Sequence, residues 1–202
     1  MAGITRIKII STWHDWRTQL AQDLAPAAND IYRQVFPLAN DIEIVEVSKE
    51  EAIARYDWSE GIDVILTSNT GARSTLQEKF LTYDREFTAT FEEKKSNGDL
   101  GAWYYCTAQY YFVGYALKYW DWRNRVIINN PIMDFQEWRL LDFPAMRRAD
   151  TSGAIQWKYD QNTMDGRRAS FRYVNFDDIP DNCIIAKFNK ILQLKLFGWS
   201  RP

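Results

Sequence analysis

Two apolar runs joined by one short turn constrain this chain more than any other feature. Gly61-Ile-Asp-Val-Ile-Leu66 and Thr75-Leu-Gln-Glu-Lys-Phe80 flank Ser68-Asn-Thr-Gly71. Strand-length apolar segments around a turn of that composition predict a β-hairpin. Side chains alternate faces along a strand, so Gln77 and Lys79 share one face, while Leu76, Glu78 and Phe80 take the other. Asp63 is the single acid inside the first run. A buried carboxylate is costly unless it is paired or binds a metal. The hairpin is expected to bring Asp63 beside the polar face of the second run, so that a carboxylate, an amide carbonyl and an ammonium converge. The plain alternative is a surface salt bridge between Asp63 and Lys79, worth about 0–1 kcal/mol.

Those residue types suit one kind of chemistry. Mg²⁺ takes oxygen ligands and keeps several waters, and Asp63 and Gln77 can each supply an oxygen. Such an ion polarises a phosphoryl oxygen and acidifies a bound water. Lys79 can orient that water or stabilise the charge that develops on phosphorus.

Asp63, the hairpin and Gln77-Glu78-Lys79 together resemble the PD-(D/E)XK nuclease superfamily, with Gln77-Glu78-Lys79 where the family has (D/E)-x-K. The likeness extends loosely from about Ser48 to Ala116, through Asp84 to Phe91 and Trp103 to Tyr115. The chain departs from the pattern in carrying Gln77 in place of an acid, which some branches of the superfamily tolerate. The resemblance implies a restriction-endonuclease-like core and a deoxyribonuclease that uses Mg²⁺ or Mn²⁺. It makes Asp63, Gln77 and Lys79 the catalytic residues, with Asp63 and Gln77 on the metal. Glu60 and Asp57, just before the Asp63 strand, are the further candidate metal ligands; solvated helix-end acids are the ordinary reading of each. Glu78 points to the opposite face and is expected to be structural.

Net charge is −2, which does not announce a nucleic-acid binder. Its distribution is uneven: residues 1–100 carry 11 Lys/Arg against 17 Asp/Glu, and residues 101–202 carry 14 against 10. An acidic half holding a metal site and a basic half suit an enzyme that must position phosphates. Arg85, Arg147, Arg148, Arg167 and Arg168 are the candidate DNA contacts, although paired surface arginines are common. One histidine and two cysteines exclude multi-histidine metal sites and a disulfide framework. The absence of a Gly-rich phosphate loop argues against a nucleotide-dependent enzyme. No apolar run approaches the roughly 20 residues of a membrane span. A cytoplasmic protein, in a cell or a phage-infected one, is therefore expected, without membrane contact, and as a homodimer if both strands of a duplex are cut.

Along the chain, residues 4–10 read as a strand and Asp15 to Val35 as helix, which Pro26 is expected to kink or divide. Asp41 to Val47 reads as a strand, and Ser48-Lys-Glu-Glu51 as a capping box opening a helix to about Asp57. Phe87 to Phe91 alternates as a strand. Trp103 to Leu117 is a buried helix or a buried strand. Val126 to Asn129 reads as a strand, Pro131 to Leu141 as a helix, Phe143 to Met164 as weakly patterned, Ser170 to Phe176 as a strand, and Cys183 to Phe197 as either. The expected architecture is α/β, with a mixed central sheet flanked by helices, in a single domain of 1–202. A nuclease-like core would cover about 15–130 and a C-terminal extension about 131–202. Two rivals to the nuclease remain. One is a non-catalytic nucleic-acid-binding or phage accessory protein that keeps this fold. The other, resting only on the nine tryptophans, is an aromatic-rich carbohydrate- or protein-interaction module.

Overall fold

The computed structural model describes residues 3–9, 16–36, 41–47, 60–82, 86–117, 120–121, 126–127, 134–161 and 169–189. The expected helix at 49–57 lies outside these residues.

The architecture is α/β. A seven-stranded mixed sheet runs in the order β12-β9-β6-β4-β3-β1-β2. Its strands are β1 (Gly3–Ile9), β2 (Asp41–Val47), β3 (Val64–Thr67), β4 (Arg73–Thr82), β6 (Tyr110–Ala116), β9 (Phe135–Asp142) and β12 (Ile184–Asn189). A second sheet of three strands combines β10 (Lys158–Gln161), β11 (Ser170–Asn175) and β5 (Thr88–Lys94) in the order β10-β11-β5. β7 (Trp120–Asp121) and β8 (Val126–Ile127) form a short ribbon. The described α-helices are α1 (Trp16–Val35), α2 (Ala102–Tyr105) and α3 (Phe143–Thr151).

One face of the large sheet is covered by α1. Leu20, Leu24, Ala28 and Tyr32 recur every four residues and pack on Ile4, Val64, Leu66, Leu76 and Phe112. Each large side chain buried this way contributes about 1.5–3 kcal/mol. Pro26 does not divide the helix. It lies on the exposed side, as does Gln22, whose carbonyl loses its partner to the proline ring; water can satisfy that oxygen. The opposite face packs against the three-stranded sheet, α2 and α3. Tyr111, Val113 and Leu141 of the large sheet meet Phe91, Trp103, Phe143 and Met146 there.

Pro131 to Leu141 is not a helix over its described part. Residues 135–142 form β9, hydrogen-bonded to β6 on one side and β12 on the other. This strand is covered on both faces, so its apolar residues show no alternation to betray it. Phe135, Trp138 and Leu140 join the α1 cluster, while Leu141 joins the other. The weakly patterned stretch after it contains a real helix, α3. Asp142 is its N-cap, its side chain accepting from the Ala145 amide at 2.7 Å, and Pro144 stands in the first turn. Trp103 to Leu117 divides between α2 and β6, so both readings of that stretch hold in part. The segment after residue 131, expected as an extension, supplies β9 and β12 to the large sheet and β10 and β11 to the small one.

Candidate active site

The hairpin predicted around Ser68-Asn-Thr-Gly71 is present: β3 and β4 pair antiparallel, with Val64 opposite Leu76. β3 begins one residue after Asp63. The Asp63 amide donates to the Leu76 carbonyl at 2.9 Å, and Asp63 Oδ2 accepts from the Glu78 amide at 2.7 Å. The carboxylate thus lies against the peptide joining Gln77 to Glu78. It takes over a β4 amide that a longer β3 would have paired.

The two faces of β4 have different chemistry. Beneath it, on the α1 side, Glu78 receives both terminal nitrogens of Arg6, at 2.6 and 2.7 Å, and the Tyr32 hydroxyl at 2.6 Å. Arg6 also donates to Asn29 Oδ1 at 2.5 Å. The pair is nearly shut off from solvent, with side-chain exposures of 11% and 8%. Burial disfavours the charged guanidinium, but the adjacent Glu78 outweighs it and holds Arg6 above its ordinary pKa. Burial, and then the Glu78 charge, hold the Tyr32 hydroxyl well above the usual phenol range. Glu78 is structural, as expected. Its partners were not foreseen, yet a signal existed: Arg6 follows buried Ile4 by two residues, and Glu78 stands between Leu76 and Phe80, so each charge sits on an apolar face and needs the other.

Above β4, Gln77 and Lys79 face the three-stranded sheet. Gln77 Oε1 is buried and has no hydrogen-bond partner. Lys79 Nζ donates to the Thr90 carbonyl at 3.1 Å and lies 5.7 Å from the centre of the Phe171 ring. Thr90 O accepts a second bond, from the Tyr111 hydroxyl, at 2.9 Å. One residue pair along, the Tyr115 hydroxyl accepts from the Thr88 amide at 2.9 Å. The outer edge of β5 is thereby closed by side chains of the large sheet rather than by another strand. Tyr111 is pushed well above the usual phenol range, chiefly by burial, with Cys106, Tyr115 and Asp63 adding to it. The Asp63 charge therefore acts on Tyr111 above β4 as well as on Arg6 and Tyr32 below it.

The other sequence candidates are distributed differently. Glu60 is exposed, and its carbonyl accepts from the Thr107 amide at 2.7 Å. Arg147 donates through Nη2 to the carbonyls of Trp103 and Cys106, at 2.7 and 2.8 Å, and lies 4.6 Å from the Phe143 ring centre, so it ties α3 to α2. Arg148 is exposed on α3. Asp57, Arg85, Arg167 and Arg168 lie outside the described residues. Among the described residues no three His, Cys, Asp or Glu side chains stand close enough to hold a metal ion. An ion beside Asp63 would thus take Asp63, the Gln77 amide oxygen and water. That oxygen set fits Mg²⁺ or Mn²⁺, and the orphaned Gln77 Oε1 is the feature that fits it. Among the described residues no helix is long and apolar enough to cross a membrane. No family model, curated protein or solved structure matches this chain.

Proposed function

We propose that this chain is a metal-dependent phosphodiester hydrolase acting on DNA, with Asp63, Gln77 and Lys79 as its working groups. The supporting observation is Gln77 Oε1, an amide oxygen closed off from solvent without a partner, on the strand against which the Asp63 carboxylate lies. A buried unsatisfied carbonyl costs about 1–3 kcal/mol, and coordination of a hard cation offsets that cost. When bound, the ion would polarise a phosphoryl oxygen and acidify a water. The chain's own groups do the rest. The Glu78 amide holds one oxygen of the Asp63 carboxylate, and Gln77, the residue before Glu78, would offer a neutral oxygen. Lys79, which donates to Thr90 O, would supply the positive charge that offsets negative charge developing on the phosphate. A restriction-endonuclease-like core, DNA rather than RNA as substrate, a cytoplasmic setting and a homodimer all belong to this proposal through the resemblance of the Asp63 hairpin.

One observation favours a second reading. Asp63 Oδ2 already caps the β4 ladder through the Glu78 amide, which is reason enough for an acid at that position. On that reading the chain keeps the fold without catalysis, as a nucleic-acid-binding or phage accessory protein.

Calorimetric titration with Mn²⁺, paired with cleavage assays on single- and double-stranded DNA and on RNA, separates the two. The proposal expects the parent to bind Mn²⁺, Asp63→Ala to lose binding, and Gln77→Leu to weaken it about tenfold, equivalent to about 1.4 kcal/mol for one oxygen ligand. A parent that neither binds Mn²⁺ nor cuts any of these substrates would leave the second reading standing.

A further inference from the structure

We propose that Phe171 and Tyr173 of β11 form a stacking platform for two unpaired bases of the strand whose phosphate meets Lys79, which makes the substrate single-stranded at the site. The inference rests on the reading of Lys79 as a working group. β11 is the central strand of the small sheet, and its side chains alternate between faces. Arg172 and Val174 are buried on the core side, where the Arg172 guanidinium lies 4.9 Å from the Trp103 ring centre. Phe171 and Tyr173 therefore take the outer face, and both are only half-buried. Among the described residues, neither ring belongs to either apolar cluster. Core packing thus does not account for two large rings at these positions. What Phe171 does meet is the site: the Lys79 ammonium lies 5.7 Å from its ring centre. Lys79 also donates to Thr90 O, and Thr90 is the cross-strand partner of Tyr173. The outer face of the small sheet is therefore continuous with the Gln77–Lys79 face of β4.

That face offers what a single strand needs, rings for its bases and cations for its phosphates. Phe171 and Tyr173 are two residues apart on one strand, hence about 7 Å apart along it. Aromatic rings on an open sheet face take neighbouring unpaired bases, and stacking accepts any base because each has a π-face. A base inside a duplex has its faces covered by its neighbours and cannot lie on either ring. A cation stands at both positions: Lys79 beside Phe171, and exposed Lys158, the β10 partner of Tyr173. Each can meet a phosphate of the strand. Phe171 also has a carboxylate residue on either side, Asp160 on β10 and Glu92 on β5. These disfavour a phosphate directly over the ring, and they can accept from the amino group of a base seated there. One base on Phe171, the next on Tyr173 and a phosphate at Lys79 describe a single strand crossing the small sheet into the site.

The test is fluorescence anisotropy of the full chain with three labelled DNA probes: a single strand, the matching duplex and an abasic strand of the same length. EDTA prevents cutting, and a fixed salt concentration keeps the phosphate contribution constant. The parent should bind the single strand about tenfold more tightly than the abasic strand, and more tightly than the duplex. Phe171→Leu and Tyr173→Leu should each weaken single-strand binding about tenfold, whereas Phe171→Trp should keep it. The abasic comparison uses the parent alone, so the question stays answerable if a leucine variant does not fold. Equal affinity for the abasic strand, a preference for duplex, or leucine variants that bind like the parent would overturn the inference. Binding of an oligosaccharide such as maltohexaose in place of the oligonucleotide would also overturn it, by assigning the rings to a sugar. A Mn²⁺ cleavage assay on the parent runs beside these measurements. Ring-dependent binding by a parent that cuts nothing would sink the hydrolase and keep the platform. Cleavage by the parent with ring-independent binding would sink the platform alone.

Discussion

At the scale of single residues, the Arg6–Glu78–Tyr32 cluster shows how much depends on charges placed where water cannot reach. Arg6 and Tyr32 are each tied to Glu78 at 2.6 or 2.7 Å, so removing Arg6 or Glu78 leaves the other buried charge without its counterpart. Breaking a buried pair from one side costs about 3–5 kcal/mol, whereas replacing the whole set by apolar groups of similar volume is often neutral. Arg6→Met alone should therefore lower unfolding stability by about 3–5 kcal/mol. The triple change Arg6→Met, Glu78→Leu, Tyr32→Phe should recover most of that loss. Urea denaturation of both proteins decides it; a triple variant no more stable than the single one would show that the cluster does more than balance itself. The hairpin motif was legible in this region because alternation separates Gln77 and Lys79 from Glu78 without any tertiary knowledge. The Lys79 contacts were not, since Thr90 and Phe171 reach it from another sheet.

At the scale of elements, local signals and burial competed, and burial prevailed where they conflicted. Pro26 is a helix breaker by chemistry, yet α1 runs through it because its apolar stripe buries Leu20, Leu24, Ala28 and Tyr32 against the sheet. β9 shows the reverse case: Phe135-Gln-Glu-Trp-Arg-Leu-Leu is compatible with a helix in isolation and becomes a strand between β6 and β12. α3 is set by a local device, the Asp142 cap ahead of Pro144. Asp142→Ala should cost about 1 kcal/mol, and Asp142→Asn or Asp142→Ser should restore most of it. Chemical denaturation of the three variants measures this; an alanine variant as stable as the parent would mean that packing of Phe143 and Met146 holds the helix unaided.

At the scale of the whole molecule, the last third of the described chain is interleaved with the first. β9 fills the position between β6 and β12, and its Phe135 ring covers Gly114 so closely that a Cβ there would lie 2.5 Å from it. β5, which carries Thr90 and Glu92, owes its pairing to β11. A fragment ending at residue 130 would bare the β6 edge and the apolar faces of Phe112 and Tyr111, and would leave β5 without a partner strand. Such a fragment should show no cooperative thermal transition by circular dichroism and should associate on size-exclusion chromatography. A monomeric fragment that melts cooperatively would establish residues 1–130 as an independent core.

The amino-acid sequence alone determined the features that depend on near neighbours. These are the β3–β4 hairpin, the division of β4 into a Gln77/Lys79 face and a Glu78 face, the apolar stripe of α1, and the strands at β1, β2, β5 and β11. All follow from alternation, helical spacing and turn chemistry, which act over a few residues. Tertiary structure decided the rest. It made β9 a strand, carried Arg6 over 72 residues to Glu78, and brought Thr90 to Lys79 from 11 residues further along the chain but in a different sheet. Those outcomes depend on which surfaces are buried together. That is a property of the assembled sheet rather than of any one segment's pattern.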